Sequence, residues 1–181
     1  MGFRSLYIIA LCCMLMSGLP SPVSAATQNT QSDKIKAGFI LQFCKYVHWP
    51  DDAFQEDNNI VLCILGQDPF GSIIDQANKL FHARKIEIRR IKDLKSIQEC
   101  HMLFVSSERQ QEMGEIVEAV KGRPILIVGN EINFLAMGGM INFVQVGNKL
   151  RFDIQLTNCE QCQLQFSSKL LKVANDVKQT R

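Results

Sequence analysis

Three uninterrupted apolar runs limit what this chain can fold into: Ile60–Leu65, Met102–Val105 and residues 124–128. A strand with one wet face alternates apolar and polar residues. An unbroken run reads as a strand buried on both faces, so helices must cover the sheet on each side. The intervening segments supply them. Residues 72–81 carry Ile73, Ile74, Ala77 and Leu80 at helical spacing. A second helix is expected to start at Ser106-Ser107-Glu108 and to reach about Lys121, with Met113, Ile116, Val117 and Val120 on one face. Residues 85–91 place Ile86 and Ile88 between polar neighbours, as a half-exposed strand does.

The two ends are read the same way. Residues 26–33 are polar and are expected to fray, with Ser32 or Asp33 capping a helix whose apolar face begins at Ile35. Trp49-Pro50 stops that helix, because proline disfavours helical geometry in the residue before it. Phe39, Phe43, Tyr46 and Trp49 form a stripe whose spacing marks core before it marks a partner surface. Further on, residues 134–137 read as a short helical turn before Gly138-Gly139. Residues 140–146 and 150–156 flank Gly147-Asn148 as a hairpin, and a final helix is expected over 163–177. The expected fold is α/β: a single-domain mixed β-sheet flanked by helices, with a C-terminal β-hairpin and helix.

Arg4, an apolar stretch over 7–16, Pro20 and Pro22, and then Val23-Ser24-Ala25 match a secretory leader cleaved after Ala25. The apolar stretch is too short to span a bilayer comfortably. This divides the chain into a leader, 1–25, and one domain, 26–181, destined for the periplasm. The formal net charge of +2 falls by one when Arg4 is removed with the leader. A charge so close to zero gives no electrostatic reason to expect nucleic acid. His48, His82 and His101 are far apart in sequence and do not suggest a multi-histidine metal centre.

In an oxidising compartment disulfides persist. Cys44, Cys63, Cys100, Cys159 and Cys162 remain after the leader, so at least one bridge is expected and one thiol is left over, with the pairing open. Cys63 lies inside one buried run and Cys100 just before another. If those strands are neighbours a bridge fits, and closing that loop would stabilise the fold by about 4 kcal/mol in the chain-entropy model. Cys159-Glu160-Gln161-Cys162 has the spacing of thiol–disulfide enzymes, but it follows the final hairpin instead of an early strand. A local bridge or two free thiols is the preferred reading. Gly66-Gln67-Asp68-Pro69-Phe70-Gly71 sits between a strand and a helix, yet lacks the glycine spacing of phosphate-binding loops. Ser106, Ser107 and His101 form no recognisable nucleophile–base arrangement, and Glu108, Glu112 and Glu115 read as a solvated helix face. No cofactor is implied.

Six segments in order carry a family resemblance. Lys36-Ala37, Phe39-Ile40, Phe43, Lys45-Tyr46-Val47 and Trp49-Pro50 make up the first, and Cys63-Ile64-Leu65-Gly66 with Asp68-Pro69-Phe70-Gly71 the second. Cys100-His101-Met102-Leu103-Phe104-Val105-Ser106 and Gly138-Gly139-Met140-Ile141 follow. Arg151-Phe152-x-Ile154 and Ser167-Ser168-Lys169-Leu170-Leu171 complete the set. Together they resemble the YfiR family of periplasmic repressors across nearly all of the mature chain. The resemblance implies a compact α/β protein without catalytic activity, dimeric in many members. It implies binding to the periplasmic sensor domain of an inner-membrane diguanylate cyclase, which lowers cyclic-di-GMP and favours motility over biofilm, and an outer-membrane lipoprotein able to sequester the repressor. It also implies a Cys63–Cys100 bridge, with Cys159 and Cys162 a second candidate pair. Two other readings remain: a small-ligand module using the loops around Phe70, Phe134 and Arg151, and, more weakly, a thiol oxidoreductase using Cys159 and Cys162.

Overall fold

The computed structural model describes residues 24–54, 59–79 and 85–179. Most of the expected leader, residues 1–23, lies outside them, as do Leu80 and Phe81 at the end of one expected helix. Residues 1–31 and 32–181 separate into two units, and the sheet and its clefts belong to the second.

The apolar runs form the strands expected of them. β2 (Ile60–Leu65), β4 (Met102–Val105) and β5 (Leu126–Gly129) are buried along their whole length. Before them come α1 (Ser24–Tyr46) and a two-residue strand, β1 (Val47–His48). α2 (Ser72–Lys79) leads to β3 (Ile86–Ile91), and α3 (Met113–Val120) precedes β5. β6 (Ile141–Val146) and β7 (Lys149–Gln155) form the hairpin. Then come α4 (Leu156–Glu160), β8 (Gln165–Phe166), α5 (Ser168–Val173) and β9 (Asp176–Lys178).

The seven-stranded sheet runs β3-β2-β4-β5-β6-β7-β9. β3, β2, β4, β5 and β6 are mutually parallel, β7 is antiparallel to β6, and β9 is parallel to β7. The strand order reverses at β2, as in doubly wound sheets. α1 packs on the hairpin side through aromatic rings: Phe43 meets Phe152 edge-on at 5.0 Å and Phe39 meets it at 5.2 Å. Phe43 and Trp49 belong to the core. Among the described residues no helix is long and apolar enough to cross a membrane.

Three local expectations need correction, and one element was not expected at all. Residues 26–33, read as an irregular terminus, are helical here as part of α1, which begins at Ser24. No proline interrupts 24–46, and each residue added to an existing helix gains a hydrogen bond without a new nucleation cost. The turn Ser107–Glu112 is a 3-10 helix leading into α3, not the first turn of one α-helix. A 3-10 helix over Leu94–Glu99 went unread. Its cap is Asp93, whose carboxylate accepts from the Ser96 amide at 3.1 Å. The expected helix over 163–177 is instead β8, α5 and β9. Gln163 takes a left-handed conformation (φ 58) that no continuing helix tolerates. Ser167 caps a new helix through the Leu170 amide, and β9 pairs with β7 instead of coiling.

Candidate functional site

Cys63, in the middle of β2, and Cys100, two residues before β4, are joined by a disulfide with a Cα–Cα separation of 5.8 Å. Parallel pairing makes this reachable. Cys63 lies opposite Leu103, and Cys100 approaches from the loop that leads into β4. Both cysteines are buried.

His101, the next residue, organises the same edge of the sheet. Its Nδ1 accepts the Val61 amide at 3.0 Å, so the ring proton resides on Nε2 and faces the Ala53 carbonyl at 2.9 Å. The Phe54 ring stacks on the imidazole at 4.9 Å, and Trp49 Nε1 donates to the His101 carbonyl at 3.0 Å. One histidine thus fastens the 49–54 segment over the disulfide. Two clefts, of about 260 and 300 Å³, flank that segment and share Ala53, Gln98, Cys100 and His101. The first adds Asp52, Arg123 and the strained Gln163, and the second adds Glu87, Arg89 and Glu99. Arg89 bonds Glu87 at 2.6 Å and also pairs with Glu99. The Glu87 carboxyl is held below its ordinary range, first by the hydrogen bond from Arg89. Both clefts are polar, and in the second the charged side chains pair with one another.

The opposite edge holds the crevice where doubly wound sheets bind ligands, outside the carboxyl ends of β2 and β4. Here it is filled. Gly66 (φ 92) follows β2, and a Cβ on it would overlap Ser106 Oγ and lie 2.7 Å from Arg109 Cγ. Glu108 accepts the Gln67 amide at 2.7 Å across the gap. Ser106 Oγ is buried and makes no hydrogen bond. Arg90 spans from β3 to Asp68 and Asp75, each at 2.7 Å, and closes the loop after β2.

The three residues expected to line a ligand site are not brought together. Phe70 is 1% exposed and meets Phe104 edge-on at 4.8 Å. Phe134 is also 1% exposed, its ring wedged so that a Cβ on Gly129 or Gly139 would overlap it. Arg151 stands in solvent on β7, opposite Val144. Aromatic rings on loops bury themselves where a doubly covered sheet offers apolar contact, and a sequence window does not show this. His101 was missed as an organiser because a lone histidine carries no spacing signal.

Cys159 and Cys162, the second candidate pair, are free thiols, as is Cys44, and all three are buried. Cys159 Sγ turns back to the Gln155 carbonyl at 3.0 Å along α4. Burial pushes the thiol titration of all three up, for Cys44 to about 12. Among the described residues no cluster of three metal-ligating side chains occurs.

The family model described as YfiR/HmsC-like matches residues 33–175. No curated protein matches the chain. Among solved structures the fold is similar to that of the ABC domain from Streptococcus pneumoniae in complex with L-Trp. The identity is 11% and the TM-score 0.52, over 76% of this chain and 59% of that one. It is similar also to a conserved domain protein from Vibrio cholerae, with 11% identity and a TM-score of 0.51, over 81% of this chain and 60% of that one. The chain spans about three fifths of the length of these structures, and at such identity the likeness is one of fold alone.

Proposed function

The chain belongs to the YfiR/HmsC-like family, whose members are regulatory rather than catalytic, and from that premise we propose that it is a periplasmic repressor. It binds the periplasmic sensor domain of an inner-membrane diguanylate cyclase and holds the enzyme inactive, lowering cyclic-di-GMP. The observation that carries the reading is the family match over 33–175, which takes in the disulfide and both flanking clefts. A buried bridge from β2 to the loop that leads into β4 suits an oxidising compartment. Repression is a population shift: the protein must bind the inactive cyclase conformation more tightly than the active one. An outer-membrane lipoprotein that takes up the repressor, and a homodimeric repressor, belong to the same proposal.

The thiols speak against the disulfide-exchange reading. A disulfide exchanger needs an accessible thiolate of lowered pKa, whereas Cys159 is fully buried and its titration is pushed up, first by desolvation.

Cellular cyclic-di-GMP, measured in a deletion strain and after complementation, tests the reading. A rise on deletion, reversed only by a copy carrying its leader, supports a periplasmic brake. Unchanged levels across several growth conditions overturn it.

A further inference from the structure

Between α3 and the end of α4 the helical layer leaves a cleft of about 470 Å³. Its floor is Ile127 of β5 and Met140 just before β6, both buried residues of the sheet layer. Val117 and Val120 of α3 form one wall, and Cys162, just beyond α4, forms the other. Asn158 and Gln161 bring amides to the cleft.

The walls are set in place before any ligand arrives. A Cβ on Gly138 (φ 101) would lie 2.5 Å from Val117 Cγ2, so the Gly138-Gly139 turn presses directly on α3. Asn158 Nδ2 donates to the Leu135 carbonyl at 3.2 Å and to the Gly139 carbonyl at 2.8 Å, tying α4 to that same turn. The cleft falls within the size range of small-molecule sites, which are largely preformed and apolar with a few placed polar groups. Its charges cancel: Lys121 and Glu118 bond each other at 3.2 Å. A phosphorylated or otherwise strongly anionic ligand would meet no uncompensated cation there. Apolar atoms entering the cleft regain dispersion contacts that its walls now lack.

We propose that this cleft binds a small, uncharged, mostly apolar molecule of ring-compound size, with one N–H or O–H group donated to the side-chain carbonyl oxygen of Asn158 or Gln161. The site is separate from the disulfide edge and does not depend on the regulatory reading.

The test uses the oxidised protein and N-phenyl-1-naphthylamine, a neutral aromatic probe with a single N–H. Its fluorescence should rise saturably, and the midpoint of thermal unfolding should climb with its concentration. Cys162→Phe fills the cleft and should weaken binding by at least about tenfold. Gln161→Ala, at an exposed position, removes a polar partner without filling the cleft and should weaken binding about threefold or more, and this arm stands even if Cys162→Phe fails to fold. No saturable signal overturns the proposal. So does binding that neither substitution weakens, since the probe then sits elsewhere. No cyclase is present in these assays, so their failure leaves the repressor reading standing, and the reverse holds for the cellular test.

Discussion

The amide of Val61 donates to Nδ1 of His101 across 40 positions of sequence, and that single bond fixes which ring nitrogen faces the Ala53 carbonyl. The imidazole is therefore a strut between β2, the start of β4 and the segment over the disulfide. His101→Phe keeps the ring stacked on Phe54 but leaves a buried amide and a carbonyl without this partner. Urea unfolding is expected to show a loss of about 3 kcal/mol, from one to three per unsatisfied buried group. An unchanged midpoint would mean that water replaces the ring.

Opening the Cys63–Cys100 bridge frees a loop of 37 residues in the unfolded chain. Cys63→Ala with Cys100→Ala should cost about 4 kcal/mol in the chain-entropy model. The pair Cys159→Ala with Cys162→Ala closes no loop and should show no such cross-link loss. Comparing thermal midpoints with and without reductant separates the two: only the first pair should abolish the effect of reductant.

Gly66→Ala forces a side chain into a left-handed position against Ser106 Oγ and Arg109 Cγ. A destabilisation of about 1–3 kcal/mol is expected. Ser106→Ala, which removes a buried hydroxyl that makes no hydrogen bond, should be neutral or stabilising and should recover part of the loss in the double variant. Strict additivity in that cycle would show that the two positions do not touch.

Phe134→Ala should cost about 3–5 kcal/mol, the usual loss for a large buried ring. The ring plugs the space between Gly129 and Gly139. Arg151→Ala, on the solvent face, should fall within about 0.5 kcal/mol of the parent. Denaturant midpoints check both, and equal effects would contradict this packing.

Alkaline pH should weaken the fold through Cys44. Its titration rises from 9.0 to about 12, chiefly by desolvation. The unfolded chain releases this proton first, so stability is fully present below about pH 9 and is lost as pH rises toward 12. Cys44→Ala, though itself destabilising, should flatten that slope in stability measured from pH 8 to 11. A parallel slope in the variant would assign the loss to other groups.

The strands were legible because their signal is local. Ile60–Leu65 and Met102–Val105 are apolar at every position, and only a doubly covered sheet accommodates that. The hairpin around Gly147-Asn148 was legible for the same reason, since a turn and two flanking runs fit in one window. The last helix was misread because Leu164, Leu170 and Leu171 fit helical spacing, while the interruption at Gln163 rests on its backbone conformation, not its residue type. Phe70 and Phe134 looked available as loop aromatics, and the core took both.

By itself the sequence determined that the chain is α/β, that its central strands are buried on both faces, and that Cys63 sits inside one of them and Cys100 just before another. It also carried the family motifs. Only the tertiary structure decided that β2 lies directly beside β4, which brings the two thiols within bonding reach. It alone turned His101 into a strut, filled the crevice at the carboxyl ends of the strands with Glu108 and Arg109, and left a gap between α3 and α4. Periodicity reports which face of an element is apolar, through residues a few positions apart. Which elements meet, and what space remains between them, depends on contacts across tens of residues whose loop closure and packing are settled together.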